Sequence, residues 1–269
     1  MKKENDETAS AVTNLPSKYK EWPWSLLFAL CIALIFRSFV FQTFVIPSPS
    51  MVPTLLVGDY LFASKYIYGY NKFSFPSPSG VTDGKTYVPL VPIDKRFGFG
   101  RLPTRGEVAI FRGPRNPNTD YVKRVVGLPG DRIQMKEGIL HINYEPVKIR
   151  RAGQYRMVPE HGQPYMVEQY IETLPNGVTH PILKHDAFGA SRYDNTPVFV
   201  VPEKHYFMMG DNRDQSDDSR NPNFIGIVPE MNLVGRVEML WFSIENSSIL
   251  RFWDWVNKGR FGRIFSKVA

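Results

Sequence analysis

Apolar and polar positions divide the chain into two regimes. Residues 22–36 carry no charge, and Arg37 is the only charged residue before an uncharged stretch continues to position 51. About 20 mainly apolar residues span a bilayer, and 22–41 supplies them if Arg37 snorkels toward the headgroups while Trp22 and Trp24 sit at the opposite interface. A cleavable signal peptide would end in small residues, whereas Arg37, Phe39, Phe41 and Phe44 follow the apolar run. A helix buried in a globular domain would carry Arg37 at a desolvation cost. The pattern therefore predicts a retained transmembrane helix over 22–41. Lys2, Lys3, Lys18 and Lys20 precede it and only Arg37 and Lys65 follow closely, which puts the N-terminus in the cytoplasm and the remainder outside. Residues 1–21, polar with both charge signs, read as a solvated cytoplasmic tail.

Beyond the span the period changes. Apolar residues alternate or cluster in short runs separated by Pro, Gly, Asn and Asp, as at 107–111, 121–126, 139–142, 197–201, 205–209 and 233–242. These are strand patterns, and no helical period interrupts them before the final residues. The fold class predicted is mainly β: an antiparallel β-sheet catalytic domain over 42–131 and 205–247, with a β-rich insertion over 132–204, preceded by one transmembrane helix. Residues 73–105, rich in Pro, Gly, Ser and Tyr, read as a long excursion dominated by turns. The closing segment, 248–269, places Ile249, Phe252, Trp253 and Val256, then Phe261, Ile264, Phe265 and Val268, at helical spacing with Arg and Lys interleaved. Packing on the preceding domain and lying on an anionic lipid surface are equally open to it, and Gly259 and Gly262 interrupt the helix.

Composition is ordinary globular usage, 43% apolar and 22% charged over 269 residues, and the net charge of +7 suits an anionic membrane or nucleic acid alike. Cys31 is the only cysteine, so no intrachain disulfide exists, and His141, His161, His180, His185 and His205 lack ligand spacing. No metal and no cofactor are expected.

Three segments carry chemistry. Ser50 lies in Ile46-Pro47-Ser48-Pro49-Ser50-Met51-Val52-Pro53-Thr54-Leu55, where the prolines restrict the backbone around a prospective nucleophile. By itself such a serine reads as a turn residue. Lys123 lies in Tyr121-Val122-Lys123-Arg124-Val125-Val126-Gly127-Leu128-Pro129-Gly130-Asp131, and strand alternation puts it on the face of Tyr121 and Val125. An exposed edge lysine is the bland reading; burial would lower its pKa and supply a neutral amine able to take a serine proton. The third segment is the polar loop Met209-Gly210-Asp211-Asn212-Arg213-Asp214-Gln215-Ser216-Asp217-Asp218-Ser219-Arg220. Counted from Asp214 it lacks the Gly and Glu of an EF-hand, which leaves a solvated loop as the alternative to a functional one.

In this order behind an apolar span, these segments resemble bacterial type I signal peptidases (leader peptidases). The matching patterns are Ser50-Met51-x-Pro53-Thr54-Leu55, Arg105-Gly106-Glu107-Val108, Lys123-Arg124 with Gly127-Leu128-Pro129-Gly130-Asp131, and Gly210-Asp211-Asn212-Arg213-Asp214 through Ser219-Arg220. The resemblance implies a membrane-bound serine endopeptidase with a Ser/Lys dyad that removes N-terminal signal peptides from exported preproteins after small residues, at Ala-x-Ala sites. It implies Ser50 as nucleophile and Lys123 as general base, with Ser216 orienting Lys123 and the Ser48 hydroxyl joining the Ser50 N–H in holding the oxyanion. Phe44, Ile46, Met51, Leu55, Tyr121 and Val122 would line shallow pockets for the P1 and P3 residues. Asp218, Arg220 and Arg124 would form the ion-pair set that shapes the loop around Ser216. Pro49 stands where the family frequently has glycine, and the 73–105 excursion is long for it. The implied partners are preproteins and the phospholipid membrane, without nucleic acid, for a single-pass monomer whose catalytic domain faces the periplasm from the cytoplasmic membrane. Two rivals remain: a self-cleaving repressor of the same Ser/Lys clan, which needs a helix-turn-helix where this chain has its tail and span, and a tethered binding protein that kept the fold without the chemistry.

Overall fold

The structure, a computed structural model, describes residues 22–75, 95–159, 162–245 and 247–268, with side chains at all of these except 22–23 and 34–38. Two compact units divide between Val40 and Phe41. The expected tail, 1–21, and the middle of the excursion, 76–94, lie outside the described residues.

The first unit holds helix α1 (Trp22–Phe39), a run of Leu, Ile, Ala and Phe with Pro23 in the first turn, where a missing N–H costs nothing. Its side chains at 24–33 are exposed all the way round. The helix stops short of the expected position 41. Phe41 instead opens a strand, because Val40, Phe41, Thr43 and Val45 are the β-branched and aromatic types that favour a pleated surface. Among the described residues no helix is long and apolar enough to cross a membrane.

The second unit is antiparallel β. In chain order it comprises β1 (Phe41–Val45), β2 (Asp59–Ser64), β3 (Val108–Arg112), β4 (Asp120–Gly127), β5 (Arg132–Lys136), β6 (Ile139–Ile142), β7 (Glu145–Pro146), β8 (Lys148–Met157), β9 (Tyr165–Thr173), β10 (Thr179–Lys184), β11 (Phe199–Val200), β12 (His205–Met209), β13 (Val228–Pro229) and β14 (Leu233–Ser243). Seven strands form the main sheet in the order β1-β2-β14-β3-β4-β12-β13. Residues of the expected insertion hydrogen-bond among themselves, as a four-stranded sheet β11-β5-β6-β7 and a three-stranded sheet β10-β9-β8.

The central strands β3, β4 and β12 are largely buried on both faces, which explains their near-continuous apolar runs. Along β3, Val108 and Ile110 join one cluster with Ile46, Met51, Leu55, Leu61 and Leu240. Ala109 and Phe111, pointing the other way, join Tyr68, Val125, Tyr206 and Met208. Two further clusters fasten the smaller sheets. Val126 and Phe207 pack with Ile133 and Leu140, and Val52 packs with Met157, Val167 and Leu183. Through that last cluster the three-stranded sheet buttresses the segment that carries Ser50.

The excursion is closed at its base by Tyr70 and Phe97, whose backbones exchange hydrogen bonds of 2.8 and 2.9 Å. The C-terminal segment is helical only at α2 (Trp255–Lys258), flanked by 3-10 turns at Phe252–Asp254 and Phe261–Arg263. Its end packs on the rest of the second unit: Phe265 N–H donates to Leu240 O at 2.7 Å, and Arg263 Nη2 donates to Asp59 Oδ2 at 2.7 Å.

Candidate active site

Ser50 sits in a 3-10 turn, Pro49–Met51, entered through an extended Ser48 with φ −132° and ψ 152°. Pro49 opens the turn, where its fixed φ is already right and its absent N–H would have had no partner. The polar loop after β12 holds this turn from above. Asn212 N–H donates to Ser50 O and Asn212 Nδ2 to Pro49 O, both at 3.1 Å. Ser50 is left 8% exposed.

Lys123 projects from β4, opposite Ala109 in β3. It is 4% exposed, and its Nζ stands 2.5 Å from Ser50 Oγ in hydrogen-bond contact. Burial pushes the Lys123 amine down to about 8, against the pull of the Asp218 carboxylate; Arg220 adds to the depression, while Asp211 and Asp217 oppose it. Ser48 Oγ lies 3.3 Å from Ser50 Oγ. Thus three of the four expected catalytic groups converge: a buried hydroxyl, an amine depressed toward neutrality and a second hydroxyl beside them.

The fourth, Ser216, is beside the site but turned. Its Oγ donates to Asp218 Oδ2 at 2.8 Å, and no hydrogen bond joins it to Lys123 among the described residues. Asp218 is fully buried and accepts from two other residues as well. Arg220 Nη2 and Nε both reach it at 2.8 Å, and Gly210 N–H does so at 3.0 Å. Burial would raise the Asp218 carboxyl, but the Arg220 charge and its hydrogen bonds more than offset that and hold it below its ordinary value. Gly210 is the tight point: a Cβ there would lie 2.2 Å from Ser216 Oγ and 2.5 Å from Ser50 O. No other residue type fits between loop and nucleophile turn.

Arg124 is not part of the Asp218 set. It makes a bidentate pair with Asp211, Nε to Oδ1 at 2.9 Å and Nη2 to Oδ2 at 2.8 Å, and donates to Gly106 O at 2.6 Å. As neighbours along β4, Lys123 and Arg124 point to opposite sides, so Arg124 grips the loop through Asp211 while Lys123 reaches Ser50. Of the six expected pocket residues, Phe44, Ile46, Met51, Leu55 and Val122 belong to one cluster. Tyr121 does not. It stacks on Phe111 at 5.9 Å and packs in the cluster of the opposite face.

Several groups around the loop had no assignment from sequence. His180 on β10 lies between two buried carboxylates, Nε2 3.2 Å from Glu172 and Nδ1 3.4 Å from Asp211. Glu172 also pairs with Arg213, and Lys184 bridges Asp194 and Asp214, each at 2.7 Å. Thr54 Oγ1 donates to Asp211 Oδ2 at 2.5 Å. These contacts fasten the insertion to the polar loop. The only hint in the sequence was the density of charge in that loop.

Comparison with known proteins gives the family. The family model described as "Signal peptidase, peptidase S26" matches residues 19–242. A protein named signal peptidase I from Rickettsia akari (strain Hartford) is 37% identical, covering 98% of each chain. The protein of that name from Rickettsia massiliae (strain Mtu5) is 36% identical over the same shares. A crystal structure of a signal peptidase I from Enterococcus faecalis V583 covers 51% of this chain and 97% of that one at 24% identity, with a TM-score of 0.29, an overlap too small to bear on the fold. On the span of the family model and the reach of the relatives, the chain belongs to the signal peptidase family, peptidase S26, a family of serine endopeptidases.

Proposed function

We propose that this chain is a membrane-bound signal peptidase that cuts preproteins after small residues by a Ser50/Lys123 dyad. The observation that carries the reading is the 2.5 Å contact between Ser50 Oγ and a buried Lys123 Nζ. Lys123, once neutral, takes the Ser50 proton as the hydroxyl oxygen attacks the scissile carbonyl. The resulting ammonium then gives that proton to the leaving amine, and water repeats the sequence on the acyl-enzyme. Ser50 N–H stands in the first turn of a 3-10 helix, where backbone donors lack internal partners, and with Ser48 Oγ it supplies the donors for the oxyanion. Asp218, itself pinned by Arg220, holds Ser216 and the loop in register beside the amine.

Substrate lies extended, adding a strand beside β1. Phe44, Ile46, Met51, Leu55 and Val122 form the floor beneath its P1 and P3 residues, and a floor of large, tightly packed side chains leaves room for little more than a methyl group. The membrane is a proposed partner on two grounds. Over 24–33 helix α1 exposes apolar side chains all round apart from Ser25, which suits surroundings of lipid. At 1.5 Å per residue it reaches about 27 Å, slightly short of an about 30 Å hydrocarbon core. Second, Leu250, Phe252, Trp253 and Val256 remain largely exposed in a segment that also carries Arg251 and Lys258.

Purified full-length chain in detergent, given a peptide with Ala at P1 and P3, should cut after the P1 Ala. Ser50→Ala and Lys123→Met should each be inactive. Activity surviving either substitution would remove the dyad.

A further inference from the structure

Asp217 stands between Ser216 and Asp218 and, unlike either of them, is exposed. Its partners come from two sides. Asn221 Nδ2, farther along the same loop, donates to Asp217 Oδ1 at 3.1 Å, and Tyr193 Oη donates to the same oxygen at 2.8 Å from the segment that joins β10 to β11. The Tyr193 ring makes a second contact with the loop. Its centroid lies 5.4 Å from the guanidinium carbon of Arg220, and Arg220 is buried, so little water screens this cation from the ring. Arg192 lies 5.0 Å from the same ring but is exposed, which weakens its attraction.

The backbone beneath Tyr193 is fixed. Asp194, the next residue, is buried and accepts from Lys184 Nζ at 2.7 Å and from the Gly189 and Ser191 N–H groups at 2.9 and 3.1 Å. Lys184 Nζ also reaches Asp214 at 2.7 Å, so the β10–β11 segment is tied to the polar loop at a second point. From the ring, short steps lead to the dyad. Arg220 holds Asp218 through two hydrogen bonds of 2.8 Å, and Asp218 accepts from Ser216 Oγ and Gly210 N–H. Gly210 in turn lies so near Ser50 O that a Cβ would come within 2.5 Å of it. A shift of Arg220 is passed along this series because its buried members cannot exchange their partners for water.

We propose that Tyr193 is a positioning residue for the dyad: its ring covers Arg220 and its hydroxyl fixes Asp217, so that the loop keeps Ser216 and Ser50 in register with Lys123. The proposal rests on the peptidase reading above. It gives the β10–β11 segment, which supplies no group to the dyad or to the apolar floor, a part in the rate without contact with the reacting atoms. Catalysis is sensitive to such support, because small misplacements of a nucleophile are costly even when they originate far from the chemistry.

The test measures kcat and KM of the full-length protein on a peptide with Ala at P1 and P3. Tyr193→Leu removes ring and hydroxyl together and should lower kcat at least about tenfold with KM unchanged, since the floor for P1 and P3 is built from other elements. Tyr193→Phe keeps the ring and should recover most of that loss, ending about threefold below wild type, the effect of one hydrogen bond. Asp217→Ala removes the hydroxyl's partner, so adding Tyr193→Phe to it should slow cleavage no further. Wild-type kcat in Tyr193→Leu, a loss that falls on KM instead, no recovery in Tyr193→Phe, or independent losses in the double variant would each overturn the proposal. If Tyr193→Leu fails to fold, the Phe and Ala variants decide the matter by themselves. A wild-type chain that cuts no such peptide would instead bring down the peptidase reading, and this role with it.

Discussion

Lys123 bears a cost that its chemistry requires. In the unfolded chain its amine has the ordinary value of 10.5, and in the folded chain it lies at about 8. Between those values the unfolded state binds more protons, so stability contributed by this residue rises as pH rises through that window. Below the folded value the full penalty applies, about 3 kcal/mol for a shift of this size. Lys123→Met should therefore raise the melting temperature at pH 7 while lowering kcat/KM by at least about 10³-fold. A methionine variant that melts below wild type would show that the amine is a net stabiliser and that its burial is not the price of function. Resemblance to a known family singled out Ser50 and Lys123 in the sequence, and the fold brings their side chains into contact. Their surroundings were less legible. Ser216 turns to Asp218, two residues along the loop, and which way a hydroxyl turns depends on torsions that no spacing encodes. Arg124 finds Asp211 across 87 residues of chain, a partner visible only once β4 and the loop after β12 are side by side.

At the scale of elements, the decisive contact is the polar loop against the nucleophile turn. Gly210→Ala should leave the chain folded, as judged by circular dichroism, and remove activity, because the new Cβ would displace Ser50 O and Ser216 Oγ together. Retained kcat in that variant would mean that the loop does not position the serine. The Arg124–Asp211 pair is fully buried, so Arg124→Met should cost about 3–5 kcal/mol in denaturant unfolding by stranding a carboxylate. Removing the exposed Arg151–Glu168 pair on the three-stranded sheet should change nothing measurable. Strands were readable because alternation and short apolar runs survive burial on either face. The closing segment was readable in part. Its apolar residues recur at helical spacing, and at Gly259, one of the two expected interruptions, a single α-turn ends in extended backbone whose missing Cβ lets the chain close on Trp255 O. Period alone reported which residues share a face, and the glycine marked where the backbone leaves the helix.

Across the whole molecule, the chain divides at Val40 into two compact units, and the proposed anchor and the proposed chemistry fall on different ones. The unit beginning at Phe41 contains every residue assigned to the dyad, the loop and the pockets. A chain lacking the first forty residues should accordingly cut a short peptide with unchanged kcat, while the full-length chain alone resists extraction from vesicles by alkaline carbonate. Full-length protein released by that wash would argue against a spanning helix. Leu250, Phe252 and Trp253 are exposed on the second unit, an apolar patch of the kind that the proposed lipid contact would cover.

The central claim is that a neutral Lys123 activates Ser50, and the pH dependence of kcat/KM on an Ala-x-Ala peptide tests it most directly. Only the deprotonated amine can accept the serine proton, so kcat/KM should rise tenfold per pH unit at low pH and level off above about 8, the value to which burial lowers Lys123. A limb centred near 6.5, the ordinary histidine value, or no acid limb at all would contradict the account and assign the base elsewhere.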